Sequence, residues 1–174
     1  MFLKTERMLI RNFTIEDLND LQEILGDDET MKYLESAYDL KKTEHFLRDF
    51  CIKKSGAFAA VLKETGKVIG YILFHEIEET IYEIGWIFNR DYWKRGYAYE
   101  SCHAVMEYGF SELSCCKIIA ETIDVEKSVG FMKKLGMKFE GIQGELYNYS
   151  VGRAEWDMFL PGNHKLADLR GTYK

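Results

Sequence analysis

Mixed α/β is the fold class this sequence predicts: one central β-sheet with parallel and antiparallel strands, flanked by helices, in the order β-α-α-β-β-β-α-β-α-β-β. Three observations carry it. Short segments with alternating or continuous apolar residues are bounded by turn residues, as strands are. Between them lie segments whose apolar residues recur every three or four positions behind a capping residue, as in helices. Finally, a hairpin turn, Glu64-Thr65-Gly66-Lys67, and a strand-helix-strand run over 81–123 occur in one chain, so antiparallel and parallel pairing coexist.

Taken in order, Arg7 to Phe13 alternates and reads as a strand. Thr14, with Asp17 three residues on, caps a helix carrying Leu18, Leu21, Ile24 and Leu25, which Gly26 ends. Thr43 is expected to cap a second helix with Phe46, Leu47 and Phe50 on its face. Gly56 opens a strand over 57–62. The turn at 64–67 leads to a strand over 68–74, and a turn near Glu78-Glu79-Thr80 leads to one over 81–89. A helix over 97–113 and a strand over 117–123 follow. The helix over 126–135 stops at Gly136, in the place of a C′ glycine. Met137 to Leu146 and Tyr149 to Leu160 read as two closing strands, with Tyr147, Tyr149 and Trp156 as exposed aromatics that suit a homodimer interface.

The 174 residues contain one proline and are 47% hydrophobic and 14% aromatic, which fits one compact domain, 1–174. No run of 18 apolar residues is present, so no membrane helix is expected. Met1 to Arg7 lacks the apolar region of a signal peptide. Cys51, Cys102, Cys115 and Cys116 have no metal-ligand spacing, and a disulfide between adjacent cysteines is strained. Reduced thiols, no metal and a cytoplasmic location are the expectation. A net charge of −6 disfavours nucleic acid, which needs a basic face, and inclines the chain mildly toward cationic partners.

The most informative stretch is Tyr92-Trp93-Lys94-Arg95-Gly96-Tyr97-Ala98-Tyr99-Glu100. It joins the strand Ile81 to Asn89 to the helix beginning near Tyr97. Unpaired amides at a helix start point outward and the macrodipole adds positive potential there. Gly96 lets backbone approach a ligand, and Ala98 adds little bulk. Locally, a lone glycine turn is a weak signal, and a plain strand-to-helix connection is the simpler reading beside a phosphate site.

Several stretches in order resemble the GNAT family of N-acetyltransferases, in particular its branch of ribosomal-protein N-terminal and spermidine acetyltransferases. Thr5-Glu6-Arg7-Met8-Leu9-Ile10-Arg11 is similar to the opening strand of that branch. Lys67-Val68-Ile69-Gly70-Tyr71 is similar to its third strand, and Glu83-Ile84-Gly85-Trp86-Ile87 to its fourth. Tyr92 to Glu100 resembles the pyrophosphate motif. Ser128, with Lys134-Leu135-Gly136-Met137, resembles the closing helix motif, so the likeness covers about residues 5 to 160. There are departures. Trp93 stands where the family usually has Gln or Arg, although this branch often has Trp. Lys94 replaces a frequent glycine. Val125 stands at a frequent Asn, and Met132 where many members place a tyrosine acid.

The resemblance implies a GNAT-like domain that transfers acetyl from acetyl-coenzyme A to a primary amine by direct attack in a ternary complex. It implies cofactor binding by Trp86, Ile87 and Phe88 at a strand edge, with a bulge and two splayed parallel strands. The amides of Lys94, Arg95, Gly96, Tyr97 and Ala98 would form the cradle, and Val125 and Ser128 would lie on the closing helix. Glu83 is the candidate base. By period two it shares a face with Ile81, Gly85 and Ile87, where desolvation would favour the protonated form. It reads equally as a residue that neutralises cationic substrate, or as an exposed strand residue. Ser128 is a catalytic or cofactor-binding hydroxyl, or a local cap. Glu76, Glu78 and Glu79 read as a solvated hairpin. The four histidines and Cys102 show no nucleophile logic. The segment from Asp27 to Phe50 is expected on the acceptor side. The competing reading is a non-catalytic acyl-coenzyme A binding or sensor module.

Overall fold

The computed structural model describes residues 1–125 and 128–159. Strands β1 (Phe2–Lys4), β2 (Met8–Asn12), β3 (Ala57–Leu62), β4 (Val68–Glu78), β5 (Ile81–Phe88), β6 (Lys117–Thr122), β7 (Lys138–Gln143) and β8 (Leu146–Gly152) form one eight-stranded sheet, ordered β1-β2-β3-β4-β5-β6-β8-β7. The pair β5–β6 is parallel and the other neighbours are antiparallel. The mixed sheet follows from the hairpins and the crossover as the sequence predicts.

Helices cover both faces. Against one face lie α1 (Leu18–Leu25), α3 (Leu40–Phe46) and the helical segment Leu47–Ile52 that continues it, burying Leu21, Ile24, Leu25 and Leu47 on Ala59, Val61 and Tyr71. Against the other lie α4 (Tyr97–Glu112), α5 (Ser128–Lys134) and α6 (Arg153–Phe159), burying Cys102, Val105, Met106, Met132 and Trp156 on Ile72, Ile84 and Ile118. Strand β3 has both faces covered, so it is apolar throughout. Among the described residues no helix is long and apolar enough to cross a membrane.

The start of α1 shows how sequence becomes structure. The Asp17 carboxylate accepts the Thr14 N–H at 2.8 Å and both arms of the Arg11 fork at 2.7 and 2.8 Å. One acid thus satisfies an orphan amide at the helix entrance and ties the helix to β2. Burial alone would push the Asp17 carboxyl up, but the Arg11 fork and the Thr14 N–H hold it below its ordinary value.

Four expectations are corrected. Asp39, not Thr43, caps α3: its carboxylate accepts the Lys42 N–H at 2.7 Å, and Thr43 lies buried inside the helix. The last strand ends at Gly152, because the Glu155 carboxylate accepts the Gly152 N–H at 3.0 Å and starts α6. The apolar pair Trp156 and Phe159 is helical rather than alternating, and Leu160 lies outside the described residues. The preceding turn falls at Gly144, with φ of 64°, so β8 begins at Leu146. Trp156 and Tyr149, expected as an exposed interface, are 1% and 4% exposed and belong to the core; the Trp156 indole donates to Glu107 at 2.8 Å. Strand β1 and the single turn α2 (Asp28–Met31), capped by Asp27, were not legible in the pattern.

A carboxyl held below its unfolded value stabilises the fold above that value, and the contribution is lost as pH falls. Wild-type melting temperature is therefore expected to drop between about pH 5 and pH 2. Asp17→Asn should lose about 2 kcal/mol at neutral pH and show a flatter decline, read by thermal unfolding across pH.

Candidate functional site

Strands β5 and β6 pair only over Ile81↔Lys117, Tyr82↔Ile118 and Glu83↔Ile119. Both then continue, β5 to Phe88 and β6 to Thr122, without pairing to each other. Alternation shows which groups this leaves at the edge. The Thr80 carbonyl accepts the Cys116 N–H at 2.8 Å on the β6 side, while the Asn89 N–H donates to Ile69 at 2.9 Å on the β4 side. Even-numbered residues of β5 therefore turn their backbone toward β6, and past Glu83 those are Ile84, Trp86 and Phe88. The Phe88 carbonyl accepts the Trp93 indole at 2.6 Å, which closes the end of the edge. The ladder of β5 with β4 runs regularly from Ile84 to Phe88. The splay is present, but the expected bulge at Trp86–Phe88 is absent. The register shift of this pair lies between Glu76 and Glu78 instead.

The side chains behind this edge pack. Trp86 lies 4.7 Å from Phe131 of α5, centroid to centroid, and Phe88 is buried; Ile87 faces the α1–α3 side with Leu73 and Tyr71. Aromatic contact across the split lets the strands separate without leaving a void.

Beyond β5 the Asn89 side chain accepts the Asp91 N–H at 3.0 Å and starts a short helical turn over Arg90–Tyr92. Lys94 has φ of 60° and Gly96 φ of 84°, two left-handed residues that turn the chain onto α4. The helix cap is Gly96, whose lack of a side chain leaves the first amides of α4 without a side-chain cap. Lys94 and Arg95 are exposed, and Tyr97 and Ala98 are half-buried. The loop is held from outside: the Arg7 guanidinium donates to the Arg95 carbonyl at 3.0 Å and to Glu100 at 2.7 Å, and lies 4.5 Å from the Tyr97 ring.

Glu83 occupies the last paired position before the split. Its side chain is 30% exposed, and Oε2 lies 3.6 Å from His75 Nε2 directly opposite on β4. The desolvation suggested by its apolar strand is thus incomplete. At the start of α5, the Ser128 hydroxyl donates to Asp124 at 3.3 Å, a local bond of the kind a plain structural role provides. Val125 is exposed and brings only apolar surface, and Met132 is buried in the core. Among the described residues no three His, Cys, Asp or Glu are placed to hold a metal ion. A surface cavity of ≈ 270 Å³ lies between Tyr38, Lys42, His45 and Phe50, lined by none of the cleft residues named above.

Three of the four thiols are buried, which works against nucleophilic use. Burial pushes Cys51 up to about 12 and pushes Cys102 and Cys115 upward. Arg7, Thr5, His75 and Phe131 were not singled out by sequence reasoning as parts of this region. For Thr5 and Arg7 the partner lies far along the chain: Thr5 and Glu100 are 95 positions apart, and no local pattern marks such a pair.

Among the described residues one parallel pair is present, and it splits beside a left-handed turn onto a helix start, a geometry that agrees with the resemblance to acetyltransferases. The chain belongs to the GNAT family: residues 7–138 match the family model described as Acetyltransferase (GNAT) domain. It is 34% identical to the uncharacterized N-acetyltransferase YnaD of Bacillus subtilis (strain 168), over 90% of this chain and 100% of that one. A crystal structure of a GNAT-family acetyltransferase from Bacillus anthracis superposes with a TM-score of 0.81 at 33% identity, covering 88% of this chain and 99% of that one. An acetyltransferase from Agrobacterium tumefaciens str. C58 shares the fold at 22% identity, with a TM-score of 0.73 over 87% of this chain and 94% of that one.

Cys116 is exposed and the other three cysteines are buried. A thiol titration of the native protein with a disulfide reagent is expected to show one fast-reacting group, with three more appearing only in denaturant.

Proposed function

We propose that the chain, acting as one unit over 1–174, transfers acetyl from acetyl-coenzyme A to a primary amine by direct attack in a ternary complex. The observation that carries this reading is the backbone edge of β5 running into an uncapped helix start through Gly96. The edge offers amide groups to the pantetheine arm, and the turn offers amides to the pyrophosphate. The cradle fits an anion on its own terms. Gly96 adopts a positive φ, and a Cβ there would stand 3.2 Å from the Arg7 guanidinium. Bound there, acetyl-coenzyme A supplies a thioester whose acyl carbon accepts a nucleophile.

The chain's own residues do the rest. Trp86 and Phe88 present backbone to the pantetheine, with Ile87 packed on the acceptor side. Lys94, Arg95, Gly96, Tyr97 and Ala98 hold the phosphates, the two cationic side chains adding charge. Glu83, at the apex of the split, takes a proton from the ammonium acceptor, directly or through a water. The freed amine lone pair forms the new C–N bond as the C–S bond breaks, and the leaving thiolate recovers a proton. Val125 and Ser128 border the cofactor on the α5 side, with Ser128 held by Asp124 and set toward the thiol. No tyrosine replaces Met132 as acid, so the amine's second proton is the economical source for the thiolate. A protein N-terminus, a polyamine and a small-molecule amine remain the acceptor classes, and reduced cysteines with the acidic charge agree with a cytoplasmic setting.

Isothermal titration with acetyl-coenzyme A is expected to give saturable binding, and Gly96→Glu to abolish it by putting bulk and negative charge in the cradle. Normal binding by that variant would sink the placement of the phosphates. With an acceptor found by an amine panel, Glu83→Gln should lower kcat about 10²-fold or more while sparing cofactor affinity. An unchanged kcat removes Glu83 from the base role.

A further inference from the structure

We propose that Arg7 is a positioning residue for the pyrophosphate cradle, acting both by orienting a loop peptide and by offsetting a carboxylate inside the anion site. This rests on the cofactor reading above and goes beyond it.

Arg7 lies just before β2, far in sequence from the loop it touches. Its Nη1 donates to the Arg95 carbonyl at 3.0 Å, and its Nη2 stands 3.2 Å from the place of a Gly96 Cβ. Its guanidinium covers the Tyr97 ring at 4.5 Å. Arg95 and Tyr97, on either side of Gly96, are therefore held by one side chain. The peptide linking Arg95 to Gly96 is planar and trans. A carbonyl pinned toward Arg7 forces the Gly96 N–H to point the opposite way, away from Arg7. The fork thus fixes the direction of one cradle amide without touching a phosphate.

The second part is electrostatic. Glu100 sits in the first turn of α4, where a carboxylate suits the helix but competes with a bound anion. Its oxygens are occupied by Arg7 Nε at 2.7 Å, the Arg7 N–H at 2.7 Å and the Thr5 hydroxyl at 2.5 Å. The carboxylate is 16% exposed. Burial alone would raise it, and these donors with the Arg7 charge hold it below its ordinary value, so it stays ionised beside the site. The Arg7 charge offsets that negative charge within the turn that receives the pyrophosphate.

Titration calorimetry with acetyl-coenzyme A tests both parts and needs no acceptor. Arg7→Gln is expected to weaken binding about tenfold, by freeing the Arg95 carbonyl and leaving Glu100 without its ion pair. The double variant Arg7→Gln, Glu100→Gln should recover part of that loss, since the uncompensated charge is gone. A purely structural role predicts no recovery, because Glu100→Gln keeps one oxygen for the Thr5 hydroxyl and the Arg7 N–H but restores nothing of the lost fork. Equal binding by Arg7→Gln and wild type, or a double variant that binds no tighter than the single, overturns the proposal. Should Arg7→Gln fail to fold, Arg7→Lys keeps the charge and loses the fork. It should bind more weakly than wild type at an unchanged melting temperature, and wild-type affinity would overturn the orienting role. If the wild-type chain itself binds no acetyl-coenzyme A, the cofactor reading fails, and this inference fails with it.

Discussion

A parallel strand pair that stops after three residues governs the rest of this molecule. Strands that pair along their length satisfy their own backbone and offer nothing to a ligand. Here β5 and β6 begin side by side, and their continuations turn unpaired amides toward each other across a gap. The gap has to be held open at both ends. Trp86 packs at a tilt against Phe131 of α5 on one face, and the Trp93 indole takes the carbonyl at the far end. The crossover helix α4 starts where β5 finishes, so the open edge and the helix amides form one continuous polar lining.

Around that gap the chain arranges charge with few resources. The described site holds no metal cluster, and its cysteines are mostly buried. The region offers backbone, one carboxylate at the apex of the split beside His75, and a second carboxylate at the helix start beside Arg7, with Lys94 and Arg95 exposed on the loop. The two acids have different surroundings. Glu83 lies 3.6 Å from the His75 imidazole and is partly exposed to solvent. Glu100 is bound by a fork, an amide and a hydroxyl, and so is fixed as a structural charge.

Much of this was legible in the sequence, and the exceptions have identifiable physical causes. Elements with strong local periodicity and their own caps, such as α1 behind Thr14 and Asp17, were readable because their determinants lie within one turn. The turn at Gly96 was readable because a glycine between a strand and a helix has few other uses. The segment after Gly152 was misread because Trp156 and Met158 fit an alternating pattern over a short window, while the deciding bond, from the Gly152 N–H to Glu155, is a cap that the pattern does not display. Asp39 displaced Thr43 for the same reason. The Arg7–Glu100 clamp was invisible because its two halves meet only when the sheet is complete. The place of Glu83 at the end of the parallel ladder likewise depends on where pairing stops, a property of two strands rather than one.

The two ends of the described chain converge on one helix: Thr5 and Arg7 grip Glu100 of α4, and Trp156 donates to Glu107 two turns later. Such contacts span 95 and 49 positions, and closing long loops is slow because the entropy is lost before the contact forms. Local turns and hairpins can form early in folding. The anchoring of α4 belongs to the final stage, when sequence-distant segments meet. The turn at Gly96 and the start of α4 are therefore secured last, and a chain cut short of Trp156 would keep that turn in its sequence while lacking the brace that holds its helix in place.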